Sequence, residues 1–148
     1  MDIGSRSKYP SNALSNFHPH KFTIDGIECN SMEGFLQYLK FKNPDMQSYV
    51  CTLVGRGAKF KGKNKNWYVT QTLWWRGIEL DRHSDEYQIL LDQAYNELAK
   101  NSSFKRALKA TYNATLKHSI GKRNPFKTIL TVQEFCSRLT KIRNNLGK

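Results

Sequence analysis

Three polar residues at helical spacing are the strongest candidates for chemistry in this sequence. The stretch 30–41 is typical of a helix in which Glu33, Gln37 and Lys40 fall at positions i, i+4 and i+7. Residues three and four apart are neighbours on a helix, so a carboxylate, an amide and an ammonium group share one face. The other face is apolar and holds Met32, Phe35, Leu36 and Leu39. The pattern predicts a ligand-lining wall on a core helix.

A second interpretation of Glu33 is open. Asn30 can cap the start of this helix, and a glutamate three residues later is the usual partner in a capping box. Gln37 and Lys40 would then be ordinary exposed residues on a solvated face. A carboxylate bonded to the backbone of Asn30 is less free to meet a substrate, so the two interpretations partly exclude each other.

The remaining segments predict a mainly α (α+β) fold, a single compact multihelical domain over residues 1–148 with a small N-terminal antiparallel β ribbon. The ribbon covers residues 22–29, because Asp25-Gly26 is a strong hairpin turn between alternating apolar residues. Periodicity and capping signals predict helices over 45–54 and 67–80, one capped by Ser84, one over 103–110, and a last one opening at Thr131. We expect a loose lead-in over 1–12 and a frayed tail over 144–148.

The chain is strongly basic, and its charge is unevenly distributed. Its 148 residues include 24 Lys and Arg against 12 Asp and Glu, a formal charge of +12. No acid occurs between Asp45 and Glu79, where a predicted loop over 56–65 is rich in lysine, or between Glu97 and Glu134. Such an excess favours polyanionic partners, above all nucleic acid, although an unspecific basic surface explains the total equally well.

The sequence lacks the signals of a zinc site, a disulfide framework, a signal peptide and a membrane span. Cys29, Cys51 and Cys136 show no spacing that supports a zinc site or a disulfide framework, so we predict no metal and no cofactor. The simplest compartment is a reducing, cytoplasmic one. Residues 1–9 lack the apolar core of a signal peptide, and no apolar run approaches the roughly 20 residues of a membrane span, so no membrane partner is expected.

Two further candidates lie beside predicted loops. Trp67 follows the basic stretch and can stack on a base, whereas core packing is the simpler role for Trp74 and Trp75. His118 lies in the polar stretch 116–125, where it can act as an acid–base residue or as a hydrogen-bonded anchor.

A series of short motifs also runs in order through roughly residues 13–143. They are Leu14-Ser15-Asn16-Phe17, Ile24-Asp25-Gly26, Ser31-x-Glu33, Gln37-x-x-Lys40-Phe41, Gly55-Arg56, Asn66-Trp67, and Leu108-x-Ala110-Thr111 followed by Leu116-x-His118. The Ser-Asn-Phe element together with Glu-x-x-x-Gln-x-x-Lys is specific, although each piece alone is weak. In this combination the chain resembles the NADAR family, which is named for its tie to NAD and ADP-ribose chemistry.

The resemblance implies an N-glycosidase. Some members of the family remove ADP-ribose from guanine in nucleic acid, and others cleave a ribosylated aminopyrimidine intermediate of riboflavin biosynthesis. By the same resemblance the protein binds an ADP-ribose-containing ligand. Its predicted catalytic residues are Glu33 and Lys40, and its predicted substrate-binding residues are Asn16, Phe17, Gln37, Arg56, Trp67, His118 and Lys122.

These residue types suit the cleavage of a ribose C1–N bond. Breaking that bond builds positive charge on the sugar, and a carboxylate such as Glu33 can stabilise the charge or activate water. Lys40 and Arg56 can hold phosphates, and Phe17 and Trp67 can stack on a base. The charge of +12 favours an ADP-ribosylated guanine in nucleic acid over the small riboflavin precursor.

The chain departs from the family pattern at two places. Gly34 stands where many members have a histidine after the helix glutamate. The stretch 120–125 has neither the tryptophan nor the acid that many members carry there. If that acid is needed for hydrolysis, the protein binds ADP-ribose-like nucleotides without cleaving them. The alternative is a subgroup with a different loop.

Overall fold

Eight helices and two β-hairpins make up residues 1–63 and 66–146, the part of the chain that the computed structural model describes. In chain order they are α1 (Ser11–Leu14), β1 (Phe22–Ile24), β2 (Ile27–Cys29), α2 (Met32–Tyr38), α3 (Pro44–Val50), α4 (Gly55–Gly62), α5 (Trp67–Thr70), β3 (Thr72–Trp75), β4 (Ile78–Asp81), α6 (Asp85–Leu98), α7 (Ser102–Lys109) and α8 (Val132–Leu146). The predicted α+β class is confirmed. None of these helices combines the length and the apolar character that a membrane crossing requires.

Helix α2 lies at the centre of the fold, because all seven of its residues are buried. It contacts β2, α3 and α4. The Phe35 ring meets the Phe22 and Trp75 rings edge-on, with centroids 6.2 and 5.3 Å apart. Such contacts remove a large apolar area from water and fix the rotation of the helix. The face that carries Glu33 and Gln37 is therefore held against the interior rather than exposed to solvent.

The first hairpin confirms the turn that the sequence predicts. Strands β1 and β2 pair antiparallel, with Phe22 opposite Cys29. Asp25 and Gly26 form the two-residue turn with positive φ angles of 50° and 79°, as a type I′ hairpin requires. The ribbon packs against α6 and leads directly into α2.

The predicted helix over 67–80 is wrong. Gln71 adopts a left-handed φ of 55° and ends α5 after one turn. The chain then forms a second hairpin, β3–β4, whose turn is Arg76-Gly77 with φ angles of 52° and 80°. The burial of Leu73 and Trp75 alternates with partly exposed neighbours, as in a strand. Arg-Gly is a weaker turn signal than Asp-Gly, so the apolar spacing fitted a helix as well as a strand.

The capping predictions for the later helices are confirmed. The Ser84 hydroxyl accepts a hydrogen bond from the Tyr87 N–H at the start of α6. At the start of α8, the Thr131 N–H donates to Glu134 Oε1 and the Glu134 N–H donates to Thr131 Oγ1, which is a capping box. Each cap satisfies backbone donors that have no partner within their helix.

The basic stretch 56–65 is not a loop where the structure describes it. Residues 55–62 form α4, which packs on α2 and buries Ala58 and Gly62. Glycines and lysines give this segment little helical preference, so packing against α2 stabilises it. Residues 64 and 65 lie outside the described residues. The preceding helix, α3, is shorter than predicted, because it ends at Val50 rather than at residue 54.

Parts of both chain ends are ordered. Ile3 is 1% exposed, its N–H donates to the Lys117 carbonyl, and Asp2 bridges Lys117. Buried Ile3 and these backbone bonds hold residues 2 and 3 against Lys117, while the looseness expected for the rest of 1–12 stays a prediction. At the other end, residues 144–146 continue α8, and residues 147 and 148 lie outside the described residues, so the expected fraying of 144–148 stays a prediction.

Candidate active site

A cavity of about 270 Å³ opens beside α2 and gathers most of the residues that the sequence singles out. Eight of the nine predicted site residues line it: Asn16, Phe17, Glu33, Gln37, Lys40, Trp67, His118 and Lys122. The ninth, Arg56, is exposed in the first turn of α4 and is not part of the lining. The lining also includes residues that were not predicted as site residues, among them Ser5, Ser15, Lys59, Lys127, Thr128, Leu130 and Phe135.

The N-cap of α2 is Ser31 rather than Asn30. The Ser31 hydroxyl accepts a hydrogen bond from the Gly34 N–H at 3.0 Å, while the Asn30 N–H donates to the carbonyl of the α3 C-cap residue. The capping-box interpretation of Glu33 is therefore wrong. The Glu33 N–H donates to the Asn16 carbonyl at 3.0 Å, which fixes the preceding segment against α2 and leaves the Glu33 carboxylate for the cavity.

Glu33 is a buried carboxylate with one neutral hydrogen-bond donor. Its side chain lies at the cavity wall, the residue is only 8% exposed, and Gln37 Nε2 donates to its Oε1 at 2.7 Å. Burial raises the pKa of Glu33 above its ordinary value. The Gln37 hydrogen bond and the charges of Lys40 and Lys59 act in the opposite direction but offset only part of that rise.

Lys40 shows the complementary shift. Burial lowers the pKa of its ammonium group, and the charges of Lys59 and Lys122 add to that effect, while the charge of Glu33 opposes it. The cavity thus holds a carboxylate that is a better base, and an ammonium that is a better acid, than their exposed counterparts. Opposed shifts of this kind in one cleft are typical of acid–base sites.

Two glycines let neighbouring segments approach α2 closely. A Cβ at position 62 would lie 1.8 Å from Gln37 Oε1, and a Cβ at position 34 would lie 2.8 Å from the Leu53 carbonyl oxygen. Gly34, which replaces the histidine of many NADAR proteins, therefore has a packing reason. Gln37 Oε1 is buried and finds no hydrogen-bond partner among the described residues, so it remains an acceptor that a ligand can satisfy.

Asn16 is oriented by a residue that the sequence did not indicate. The hydroxyl of Tyr95, buried on α6, donates to Asn16 Oδ1 at 2.9 Å. Because the amide oxygen is engaged, the amide NH₂ is the group that a ligand in the cavity can meet. No local pattern links residues 79 positions apart, so Tyr95 was detectable only in the folded structure.

Aromatic and cationic groups form another wall. Lys59 Nζ lies 5.8 Å from the centroid of the Phe17 ring, a cation–π geometry. Trp67, at the start of α5, is buried and lines the same cavity. Trp75 is buried in the core instead, where it packs on Tyr38. Trp67 thus lines the cavity and also belongs to the hydrophobic core, whereas Trp75 belongs to the core and is not part of the lining. The stacking role of Trp67 stays a prediction.

His118 is anchored to the N-terminal segment. Its Nδ1 lies 2.7 Å from the Ile3 carbonyl oxygen, and its ring meets Phe135 edge-on with centroids 5.2 Å apart. A carbonyl can only accept, so Nδ1 carries the proton and Nε2 is the free acceptor of the neutral ring. Gly121 is required beside it, since a Cβ there would lie 2.5 Å from His118 Cδ2.

The charge of the cavity is strongly positive. Its described lining includes the lysines Lys40, Lys59, Lys122 and Lys127 against a single acid, Glu33. Lysines at close quarters favour phosphate groups. Among residues 1–63 and 66–146, no three His, Cys, Asp or Glu side chains gather as a metal site requires. The arrangement suits a phosphorylated organic ligand whose reacting centre meets Glu33.

Known proteins resemble this chain in both sequence and fold. The family described as bacteriophage protein GP30.3 matches residues 8–144. A 17.1 kDa protein from the Gp30–rIII intergenic region of Enterobacteria phage T4 is 38% identical over 149 residues, which cover 99% of this chain and 98% of that protein. The NMR structure of YbiA from E. coli has a TM-score of 0.63 at 16% identity, covering 99% of this chain and 84% of YbiA.

The two matches agree with the motifs of the sequence. The GP30.3 family is a phage family of the NADAR type, so the family match confirms the resemblance seen in the sequence, while the likeness to YbiA shows a shared fold. The family match spans nearly all of the described chain, from before α1 into α8. The chain belongs to the bacteriophage GP30.3 family.

Proposed function

We propose that the protein is an N-glycosidase that hydrolyses the ribose C1–N bond of ADP-ribosylated guanine in nucleic acid and releases ADP-ribose. The observation that carries the proposal is the buried Glu33 carboxylate, held by Gln37 in a cavity whose other charged groups are lysines. A ligand with a sugar at its reacting centre and phosphates beside it matches this distribution of charge.

The proposed reaction uses Glu33 at the sugar. As the C1–N bond breaks, positive charge develops on the ribose, and a nearby carboxylate in a poorly solvated site stabilises it. The same carboxylate then accepts a proton from the water whose oxygen bonds to C1. Its raised pKa makes it a stronger base than an exposed glutamate, and Gln37 holds one of its oxygens in place.

Lys40 is the proposed proton source for the departing base. It lies two residues beyond the end of α2 and lines the same cavity as Glu33, and burial lowers the pKa of its ammonium group. A more acidic ammonium transfers its proton to a leaving nitrogen more readily. Lys59, Lys122 and Lys127 are assigned to the phosphates, and Phe17 and Trp67 to the base.

The test is an incubation of the protein with an oligonucleotide that contains one ADP-ribosylated guanine. We expect free ADP-ribose and an intact strand with restored guanine, both measured by mass spectrometry. Glu33→Gln should release far less ADP-ribose, and its matched control is Glu97→Gln, because Glu97 lies on α6 outside the cavity lining. No release of ADP-ribose at high protein concentration, alongside cleavage of the ribosylated aminopyrimidine, would reverse the choice between the two N-glycosidase substrates.

A second candidate function is capture of ADP-ribose-like nucleotides without cleavage. It is favoured by one observation: Glu33 is the only acid in the described lining, and the 120–125 stretch supplies none. Titration calorimetry with free ADP-ribose, followed by recovery of the ligand from the modified strand, separates the two. Tight binding with an intact substrate after long incubation supports capture, and measurable product refutes it.

A further inference from the structure

Two exposed aromatic residues are next in sequence to residues that line the cavity. Tyr68 and Phe126 are 55% and 58% exposed. Each follows or precedes a residue of the lining, since Trp67 and Lys127 both face the cavity. The two residues therefore adjoin the site on two different segments of the chain, and neither belongs to the cavity lining or to the hydrophobic core.

One side chain holds these two segments together. Gln71 Nε2 donates to the Tyr68 carbonyl at 2.8 Å and to the Phe126 carbonyl at 3.0 Å. The His83 ring lies against the Phe126 ring, with centroids 4.1 Å apart. Gln71 Oε1 accepts a hydrogen bond from His83 Nε2 at 2.8 Å. The two backbone segments are thus held at a fixed spacing. His83 covers one side of the Phe126 ring, while more than half of Phe126 and of Tyr68 remains exposed to solvent.

The surroundings of the rings are basic. The segments that carry the rings, residues 46–78 and 98–133, contain no acid. Arg123 is exposed between the lining residues Lys122 and Lys127, and Arg56 is exposed on α4, which also carries Lys59. Asp81, which accepts a hydrogen bond from the His83 N–H, marks the edge of this positive surface.

We propose that Tyr68, Phe126, Arg56 and Arg123 form a docking surface for single-stranded nucleic acid, which presents its modified base to the cavity. This inference rests on the proposed function for the identity of that base. Cations track the phosphate backbone and open ring faces stack on unpaired bases, the combination that single-strand binders use. A base in a duplex has its faces covered and must leave the stack to enter a site of this kind.

Binding of an unmodified strand tests the surface without any turnover. Fluorescence anisotropy would compare a labelled single strand of about a dozen nucleotides with its duplex. We expect the single strand to bind more tightly at equal salt. Tyr68→Ala and Phe126→Ala should each weaken its binding by roughly tenfold, because stacking on a base is lost. Arg123→Glu should also flatten the dependence of affinity on salt concentration.

Matched variants elsewhere control for general effects of charge and exposure. Tyr112 is 81% exposed, and Lys109 lies beside it at the end of α7, and neither lines the cavity. Tyr112→Ala and Lys109→Glu should leave binding unchanged. Two results would overturn the docking surface: equal affinity for duplex and single strand, or losses of affinity in Tyr112→Ala and Lys109→Glu as large as those in the surface variants. Thermal unfolding of every variant confirms that each is folded.

Turnover of a small substrate separates this inference from the proposed function. Tyr68→Ala and Phe126→Ala do not alter the cavity lining, so both should cleave ADP-ribosylated guanosine at the rate of the unmodified protein. Their kcat/KM on a modified oligonucleotide should fall by roughly tenfold. Nucleoside cleavage without any preference for single strands refutes the docking surface alone. Single-strand binding without any cleavage supports the surface and refutes the N-glycosidase.

Discussion

The starts of α2 and α8 look alike in sequence and differ in chemistry. Each has a glutamate three residues after a residue that can cap the helix, Glu33 after Asn30 and Glu134 after Thr131. Glu134 closes a capping box and is also bonded by the buried guanidinium of Arg82 at 2.7 Å. Glu33 closes no box and has one neutral donor, Gln37.

The pKa values of the two carboxyl groups follow this difference. Burial opposes the charge of Glu134, but hydrogen bonds from Arg82, Thr131 and Gln88 outweigh it and lower the pKa. At Glu33 burial dominates and raises the pKa. A fully bonded carboxylate stabilises the fold, whereas a buried and partly bonded one is free to interact with charge that a substrate brings. The contrast supports a structural role for Glu134 and the proposed catalytic role of Glu33.

The largest effects are expected when each of the two glutamates is replaced by glutamine. Glu33→Gln should lower kcat/KM on the modified strand by roughly 10³-fold, because the charge that stabilises the ribose is lost. The fold should remain as stable or become more so. Glu134→Gln should instead lower the free energy of unfolding by roughly 3 kcal/mol, because Arg82 becomes a buried charge without a counter-ion.

Two measurements on both variants distinguish a catalytic from a structural role for each glutamate. They are kcat/KM, measured by the release of ADP-ribose, and the free energy of unfolding in urea. Conservation of full activity in Glu33→Gln would remove Glu33 from the mechanism. A loss of stability in Glu33→Gln as large as in Glu134→Gln would show that both carboxylates are structural.

A second test displaces Gln37, the side chain that donates a hydrogen bond to the Glu33 carboxylate. Gly62→Ala places a Cβ 1.8 Å from Gln37 Oε1, so Gln37 must move and release Glu33. We expect a loss of roughly 1–3 kcal/mol in stability and a lower kcat. Gly57 lies on the same helix with open space around it, so Gly57→Ala should raise stability by roughly 0.5–1 kcal/mol and leave activity unchanged. Equal behaviour of the two alanine variants would contradict the role of Gln37.

The sequence predicted the structural role of Glu134 in a capping box, but it left the role of Glu33 open between a cap and a ligand site. The capping signals at Ser84 and Thr131 are local, and the structure confirms them. The same signal at Asn30 fails because Ser31, one residue later, takes the cap. The polar strip of α2 was visible as a pattern, but its burial depends on α4, a segment without helical preference.

The rest of the cavity depends on long-range packing. Lys59 and Lys127 reach the lining from segments that carried only a general basic character in the sequence. The β3–β4 hairpin was missed because residues 67–80 fit two periodicities, and its Arg76-Gly77 turn is a weak signal. Arg56 belongs to a matching motif, yet the start of α4 leaves it exposed. Motifs therefore located the central helix, and tertiary contacts decided which cations surround it.

The pH dependence of the two glutamates should have opposite signs. Because the pKa of Glu33 is raised above its ordinary 4.5, folded protein binds that proton more readily than unfolded protein, and this group destabilises the ionised fold. The stability advantage of Glu33→Gln should thus be present at neutral pH and vanish as the pH falls below about 4.5. Glu134, with a lowered pKa, contributes stability above its unfolded pKa that is lost at more acidic pH.

Urea unfolding of the two glutamine variants and the unmodified protein, at a series of pH values, measures these differences. The acid limb of kcat/KM should likewise lie above pH 4.5, because activity requires ionised Glu33. An advantage of Glu33→Gln that grows as the pH falls would contradict the raised pKa.

The smallest expected effect concerns the residue that positions Asn16. Tyr95→Phe removes only the hydroxyl that donates to Asn16 Oδ1, so stability should fall by about 1 kcal/mol. The amide is then free to rotate, and we expect KM for the modified strand to rise several-fold while kcat changes little, since Glu33 is untouched. Tyr87→Phe is the matched control, because the Tyr87 hydroxyl donates to the Ile129 carbonyl rather than to a candidate ligand-binding side chain. An equal rise of KM in both variants would mean that Tyr95 acts through packing alone. A rise confined to Tyr95→Phe would show that the Tyr95 hydroxyl orients the Asn16 amide for the ligand, in contrast to the Glu33 carboxylate, which the fold leaves free for the substrate.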